Sequence, residues 1–177
     1  SLAVVGDNGL AEELLALAKD KGVEANRVSD AAALAPAVNI VIDTESGAED
    51  RKRALLQRLD AALPASALLV TSCLRFATSR MASWLKHPER LVGFATFFPL
   101  KDRQLIELAG GLRTSEIFLK QAGELFQTLG KESVFVKDTA GLTFPRILSL
   151  IINEAARSLE EGVASAEEID VAMRLGV

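Results

Sequence analysis

The first residues arranged for chemistry are Gly6-Asp7-Asn8-Gly9-Leu10-Ala11, which follow the apolar stretch Ala3-Val4-Val5 and open a helical pattern. A glycine-rich turn between strand and helix points backbone N–H groups and the positive end of the helix dipole at an anion, the device that holds a dinucleotide pyrophosphate. Its fingerprint is G-x-G-x-x-G. Gly6 keeps the first glycine, while Asn8 and Ala11 take the second and third places. Alanine at the third is tolerated, because that position only sets helix packing. Asn8 puts a side chain where the backbone must approach the pyrophosphate, and Asp7 adds negative charge. Weak dinucleotide binding or none is therefore expected, with Gly9 a substitute if the loop shifts by one residue. Asp30, near the end of the second strand, can accept from a ribose hydroxyl, against a competing role as a solvated helix cap.

Acid–base residues are scarce: the chain has one histidine and no tyrosine. His87 precedes Pro88 in a polar turn, where a solvated surface role is expected. The single Cys73 lacks a histidine partner and reads as a small buried residue; it cannot form an intrachain disulfide, which suits a reducing, cytoplasmic setting. No set of His, Cys and acidic residues has metal-ligand spacing, so no metal is expected. A net charge of -4 argues against nucleic acid as a partner. Leu68-Leu-Val70 and Leu148-Ser-Leu-Ile-Ile152 fall short of a bilayer span, and Ser1 to Gly6 has no basic segment of a secretory signal, so no membrane partner is expected.

The elements that must position these residues follow from periodicity. Strands are expected at Ala3–Val5, Val23–Val28, Asn39–Asp43, Ala67–Val70, Arg90–Thr96, Leu105–Leu108 and Ser133–Val136. Between them, Leu10, Leu14, Leu17 and Ala18 mark a helix stopped by Gly22. Leu55, Leu56, Leu59 and Leu63 mark another, closed by Pro64, and a polar helix ends near Leu85. Phe118, Ala122, Leu125, Phe126 and Leu129 form the stripe of a helix capped by Thr114 or Ser115 and ended by Gly130. Alternation of strand and helix implies right-handed crossovers and a mainly parallel, Rossmann-like sheet over residues 1–138. Residues 139–177 read as helix only: a long helix over 142–161, then one opened by the capping box Ser165-Ala-Glu-Glu168. The fold class is α/β, a truncated Rossmann-like sheet followed by a small all-helical dimerisation segment. Ile147, Leu148, Ile151, Ile152, Ala155 and Leu159 can pack on the sheet domain or on a second copy. The second copy is favoured, making helix 142–161 the contact of a homodimer.

Specific motifs appear in the order of a known family. His87-Pro-Glu-Arg-Leu-Val-Gly-Phe-Ala95-Thr-Phe-Phe-Pro99, then Leu105-Ile-Glu107-Leu, resembles R-P-E-R-x-x-G-x-H-F-F-N-P and L-V-E-V of L-3-hydroxyacyl-CoA dehydrogenases. Arg90, Gly93, Phe97, Pro99 and Glu107 match. Thr71-Ser72-Cys73-Leu74 resembles the family's T-N-T-S-S-L turn, and Gly130-Lys131 with Val134 to Asp138 its G-K-x-P-V-x-V-x-D strand. Ile151-Ile-Asn-Glu-Ala155 through Gly162 to Gly176 resembles its dimer-forming helical domain. The pattern is most similar to the degenerate second repeat of phenylacetate-pathway members, in which an intact catalytic unit precedes it.

The resemblance implies NAD as cofactor and oxidation of a 3-hydroxyacyl-CoA, in which a histidine takes the hydroxyl proton and a glutamate orients it. The histidine falls on Ala95, its orienting glutamate on Glu107, and a substrate-contacting serine on Ser72. Two active-site asparagines fall on Phe98 and Pro145. The family's CoA-holding insertion between second and third strands shrinks here to residues 30–38. The expectation is a degenerate domain acting in assembly and dimerisation beside an intact dehydrogenase unit upstream in the same chain. An active oxidoreductase using Glu107 or Lys101 as base is the alternative, and a small-ligand sensor a further one.

Overall fold

The computed structural model describes residues 1–176. Chain order is β1 (Leu2–Val5), α1 (Gly9–Asp20), β2 (Ala25–Val28), β3 (Ile40–Asp43), α2 (Glu49–Ala62), β4 (Leu68–Ser72), α3 (Thr78–Ala82), β5 (Leu91–Ala95), β6 (Leu105–Gly110), α4 (Glu116–Thr128), β7 (Glu132–Phe135), α5 (Phe144–Glu160) and α6 (Ala166–Leu175). One seven-stranded sheet has the order β2-β1-β3-β4-β5-β6-β7. The first five strands in that order run parallel, the Rossmann-like pattern expected. β6 turns antiparallel to β5 and β7 runs parallel to β6. The reason is the connection: residues 96–104 hold one 3-10 turn, Leu100–Asp102, and no helix to carry the chain back across the sheet.

Both faces are covered. Ala3, Val5, Val41 and Leu69 pack with Leu55, Leu56, Leu59 and Met81 of α2 and α3. Leu2, Val4, Ile42, Leu68 and Val70 alternate to the other face and meet Leu14 and Ala18 of α1 and Phe118, Ala122 and Phe126 of α4. Strands buried on both sides need near-continuous apolar runs, which is why their sequences lack polar alternation.

Several boundaries depart from periodicity, each for a local reason. β2 begins at Ala25, because Val23 completes the end of α1: Gly22 has φ +69°, its N–H donates to Lys19 O and the Val23 N–H to Ala18 O at 2.8 Å. That pair of bonds is the Schellman closure. Neither Thr114 nor Ser115 caps α4 with its side chain; the Thr114 hydroxyl instead donates to Leu91 O and accepts from the Gly111 N–H. The helix placed before Leu85 is short, Thr78–Ala82. Leu142 precedes α5 rather than starting it, in left-handed backbone (φ +50°) with its side chain fully buried. The capping box of α6 forms, Ser165 accepting from the Glu168 N–H and Glu168 from the Ser165 N–H.

α5 does not pack its apolar stripe on the sheet. Pro145 is its one buried residue, while Ile147 is 50% exposed and Ile152 59%.

Candidate functional site

The chain passes from β1 outward to β2 and returns to β3 on the other side of β1, so a crevice opens at the carboxyl ends of these strands. Gly6 makes the turn there, at φ +134°; a Cβ on it would lie 2.1 Å from Thr44 Oγ1. Thr44 donates its hydroxyl to Val5 O at 2.9 Å and locks the loop after β3 against the end of β1. Asn8 caps α1: its Oδ1 accepts from the Ala11 N–H at 3.0 Å and its Nδ2 donates to Thr44 O at 3.2 Å. Gly9 lies under the Phe98 ring, where an added Cβ would come within 2.7 Å of Cε2. The N–H of Leu100, two residues on, donates to the Glu13 carboxylate. The loop after β5 is thus folded over the first turn of α1.

At the end of β5, Ala95 stands directly opposite Glu107 in the antiparallel ladder. Such a pair holds its β-carbons about 4.5–5.5 Å apart, the separation at which two side chains act on each other. Here one partner is a methyl group. The Glu107 carboxylate, on a residue 7% exposed, accepts from the Thr143 N–H at 2.9 Å and the Phe144 N–H at 3.1 Å. It therefore sits on the amino end of α5, where the helix dipole favours its charge. A cavity of about 450 Å³ opens beside it, lined by Ala95, Thr96, Phe97, Arg103, Phe144 and Pro145 among others. Lys101 is exposed on the neighbouring 3-10 turn.

The remaining candidates are scattered. Ser72 ends β4 in register with Phe94, 3% exposed and outside that cavity's wall. Asp30 caps the turn Ala31–Ala33, accepting from the Ala31 N–H at 2.6 Å and from Arg58 Nε at 2.9 Å. These bonds, the arginine's first, hold its carboxyl below the ordinary aspartate range. His87 lies at the opposite end of β5 from Ala95, its Nδ1 3.5 Å from the Glu89 carboxylate. Cys73 is wholly buried and donates its thiol to Phe94 O. Burial, aided by the Asp138 charge, pushes this thiol up to about 12. At pH 8 the thiolate fraction is negligible. Iodoacetamide is expected to leave the native chain unlabelled by intact mass and to add one group in denaturant; rapid native labelling would contradict the buried placement.

Two features carry no motif and were invisible in the sequence. One is the buried pair Lys52–Asp43 at 2.6 Å, both side chains fully inaccessible, with the Thr71 hydroxyl donating to the same carboxylate oxygen at 2.8 Å. The other is a second cavity, about 490 Å³, between the ends of β1 and β2, where Arg27, Arg51 and Arg58 come together. Arg51 and Arg58 lie two turns apart on α2, but Arg27 on β2 is distant in sequence, and only sheet order brings it to them. No group of three His, Cys, Asp or Glu residues among the described residues could hold a metal, and no helix among them is long and apolar enough to cross a membrane.

A doubly wound sheet with a glycine turn at its first strand–helix crossing defines a Rossmann-type dinucleotide-binding domain. The chain belongs to the 3-hydroxyacyl-CoA dehydrogenase family: the sequence model of the family's NAD binding domain matches residues 11–139, and that of its C-terminal domain residues 141–177. It is 36% identical over 149 residues to the 3-hydroxyadipyl-CoA dehydrogenase of Escherichia coli strain K12, covering 84% of this chain and 31% of that protein. It is 33% identical over 138 residues to the 3-hydroxybutyryl-CoA dehydrogenase of Bradyrhizobium diazoefficiens, covering 78% and 47%. Among solved structures, a 3-hydroxybutyryl-CoA dehydrogenase from Escherichia coli K12 superposes with a TM-score of 0.85 at 26% identity, over 98% of this chain and 46% of that one. The chain thus spans half or less of the length of each.

Proposed function

We propose that this chain is a non-catalytic member of its family that serves assembly, pairing through α5 and working beside an intact dehydrogenase unit. The observation that carries this reading is the pair Ala95–Glu107: no imidazole faces the carboxylate, and the carboxylate itself is spent on the Thr143 and Phe144 amides. The cofactor turn supports it. The Ala11 amide is taken by Asn8 and the Phe98 ring lies on Gly9, so a pyrophosphate laid on this helix end would have to displace both. NAD therefore binds weakly or not at all. At position 145 proline offers no amide to a substrate.

The partner unit is proposed from proportion. A stretch of 138 residues makes up 47% of the Bradyrhizobium relative, but one of 149 residues only 31% of the Escherichia coli one, so the latter is longer by roughly two-thirds and has room for an additional unit.

A competing reading, an active oxidoreductase, has the cavity beside Glu107 in its favour. Glu107 would then be the proton acceptor, at the cost of releasing two amides. One experiment separates the readings: the purified chain with (S)-3-hydroxybutyryl-CoA and NAD, followed by absorbance, together with thermal melts in saturating NADH. A flat trace and an unmoved melting temperature are expected. NADH formation above a heat-killed control, with a cofactor-dependent rise in melting temperature, would establish the enzyme instead.

A further inference from the structure

We infer that the cavity at the carboxyl ends of β1 and β2 binds a nucleoside whose ribose carries a phosphate, without the nicotinamide half of a dinucleotide. This goes beyond the assembly reading and stands on a different part of the molecule. In a Rossmann crevice the acid after β2 ordinarily takes the ribose hydroxyls, and an arginine nearby accommodates a phosphate on that sugar. Here the acid is withdrawn. Asp30 accepts from Arg58 Nε and from the Ala31 amide, and it is not part of the cavity wall.

What lines the cavity is Ser29 with the three arginines Arg27, Arg51 and Arg58, against two carboxylates, Asp7 and Glu45. The side-chain floor is apolar, from Val5, Val28 and Leu55, a surface on which a base can lie. Each of the three guanidinium groups faces a carboxylate, but none is saturated by it. Arg27 stands 3.6 Å from Asp7 and 3.7 Å from Glu12, beyond hydrogen-bond length. Arg51 meets Glu45 through one terminal nitrogen, and Arg58 meets Asp30 through Nε. A guanidinium has five N–H donors, so donors remain on each. These pairs are exposed on the arginine side, and exposed pairs yield readily to a doubly charged phosphate that can be gripped by two parallel bonds.

The nicotinamide half is excluded by the neighbouring turn. A dinucleotide running from this cavity must cross the end of α1, where Asn8 holds the Ala11 amide and Phe98 covers Gly9. A mononucleoside with its phosphate on the arginines need not cross it. Two isomers meet this description, a nucleoside phosphorylated at its 2′ hydroxyl and one phosphorylated at its 3′ hydroxyl, the latter as at the nucleotide end of coenzyme A.

The test is calorimetric titration of the whole chain, in about 0.15 M salt to suppress unspecific charge effects. The ligands are adenosine 2′,5′-bisphosphate, adenosine 3′,5′-bisphosphate, adenosine, NAD and inorganic phosphate. At least one bisphosphate is expected to bind about tenfold or more tighter than adenosine, NAD or phosphate, and the tighter isomer identifies the source. Arg51→Gln and Arg58→Gln are each expected to weaken that binding about tenfold, as loss of a bidentate charged contact does, while apo melting temperatures stay put. No bisphosphate binding, equal affinity for adenosine or phosphate, tighter binding of NAD, or indifference to both substitutions would each overturn the inference.

Discussion

Lys52→Met is expected to lower unfolding stability by about 3–5 kcal/mol, the cost of leaving a buried charge without its partner. For a chain of this size that amounts to a fall of roughly 10 °C in melting temperature. The Lys52 ammonium donates to Asp43 Oδ2 at 2.6 Å and to the Glu45 carbonyl, with both side chains at zero exposure. Methionine fills the volume and removes the charge, so the loss reads electrostatics rather than a cavity. Adding Asp43→Asn should return a large share of it, since the amide oxygen can still accept from the Glu45 N–H and no ion remains unpaired. A double variant as unstable as the sum of its singles would show that the pair is not the source. The consequence reaches the crevice. Asp43 ends β3 and holds Glu45; the intervening Thr44 braces the Gly6 turn; Glu45 meets Arg51 in the cavity wall. In a partly destabilised Lys52 variant, nucleoside affinity should therefore weaken before the fold is lost.

How much of this was written in the sequence depends on distance along the chain. The alternation of strands and helices followed from short-range signals: apolar runs bounded by Gly22, Pro64 and Gly130, whereas the order of the strands in the sheet had no such signal. The reversal of β6 has a local sign as well, since the stretch between Thr96 and Gln104 is too short for a crossover helix. Boundaries failed where one residue served two masters, as Val23 does in closing α1 instead of opening β2. At the site, Ala95 and Glu107 carried a motif, because the family spacing places them on facing strands. The Phe98 ring over Gly9 had no such signal, as the two are joined only by the fold of the loop after β5. The arginine cavity was hidden for the same reason. Arg27 belongs to β2 and Arg51 and Arg58 to α2, and periodicity says which face a residue takes but not which element faces it.

Charge placed on the apolar stripe of α5 should abolish self-association. Phe144, Ile147, Ile151 and Leu159 recur at helical spacing and are 45%, 50%, 40% and 49% exposed, while Leu150 and Ile152 widen the stripe. No residue of α6 is buried, and the two helices leave this surface open. An apolar patch of this extent on a free chain is the mark of an interface, and stable ones bury about 1,200–2,000 Å² in all. A second copy related by a two-fold axis would bring stripe against stripe, with each isoleucine facing its counterpart's neighbours. The wild-type chain is therefore expected to sediment as a dimer at micromolar concentration, and Ile151→Glu as a monomer. Desolvating one glutamate per copy at the middle of such an interface costs several kcal/mol, enough to weaken dimerisation by at least about a hundredfold. Because Ile151 touches solvent and not the sheet, its far-ultraviolet circular dichroism and the melt of the sheet domain should stay near wild type. A wild-type chain that sediments as a monomer throughout would remove the homodimer and leave the stripe to the partner unit.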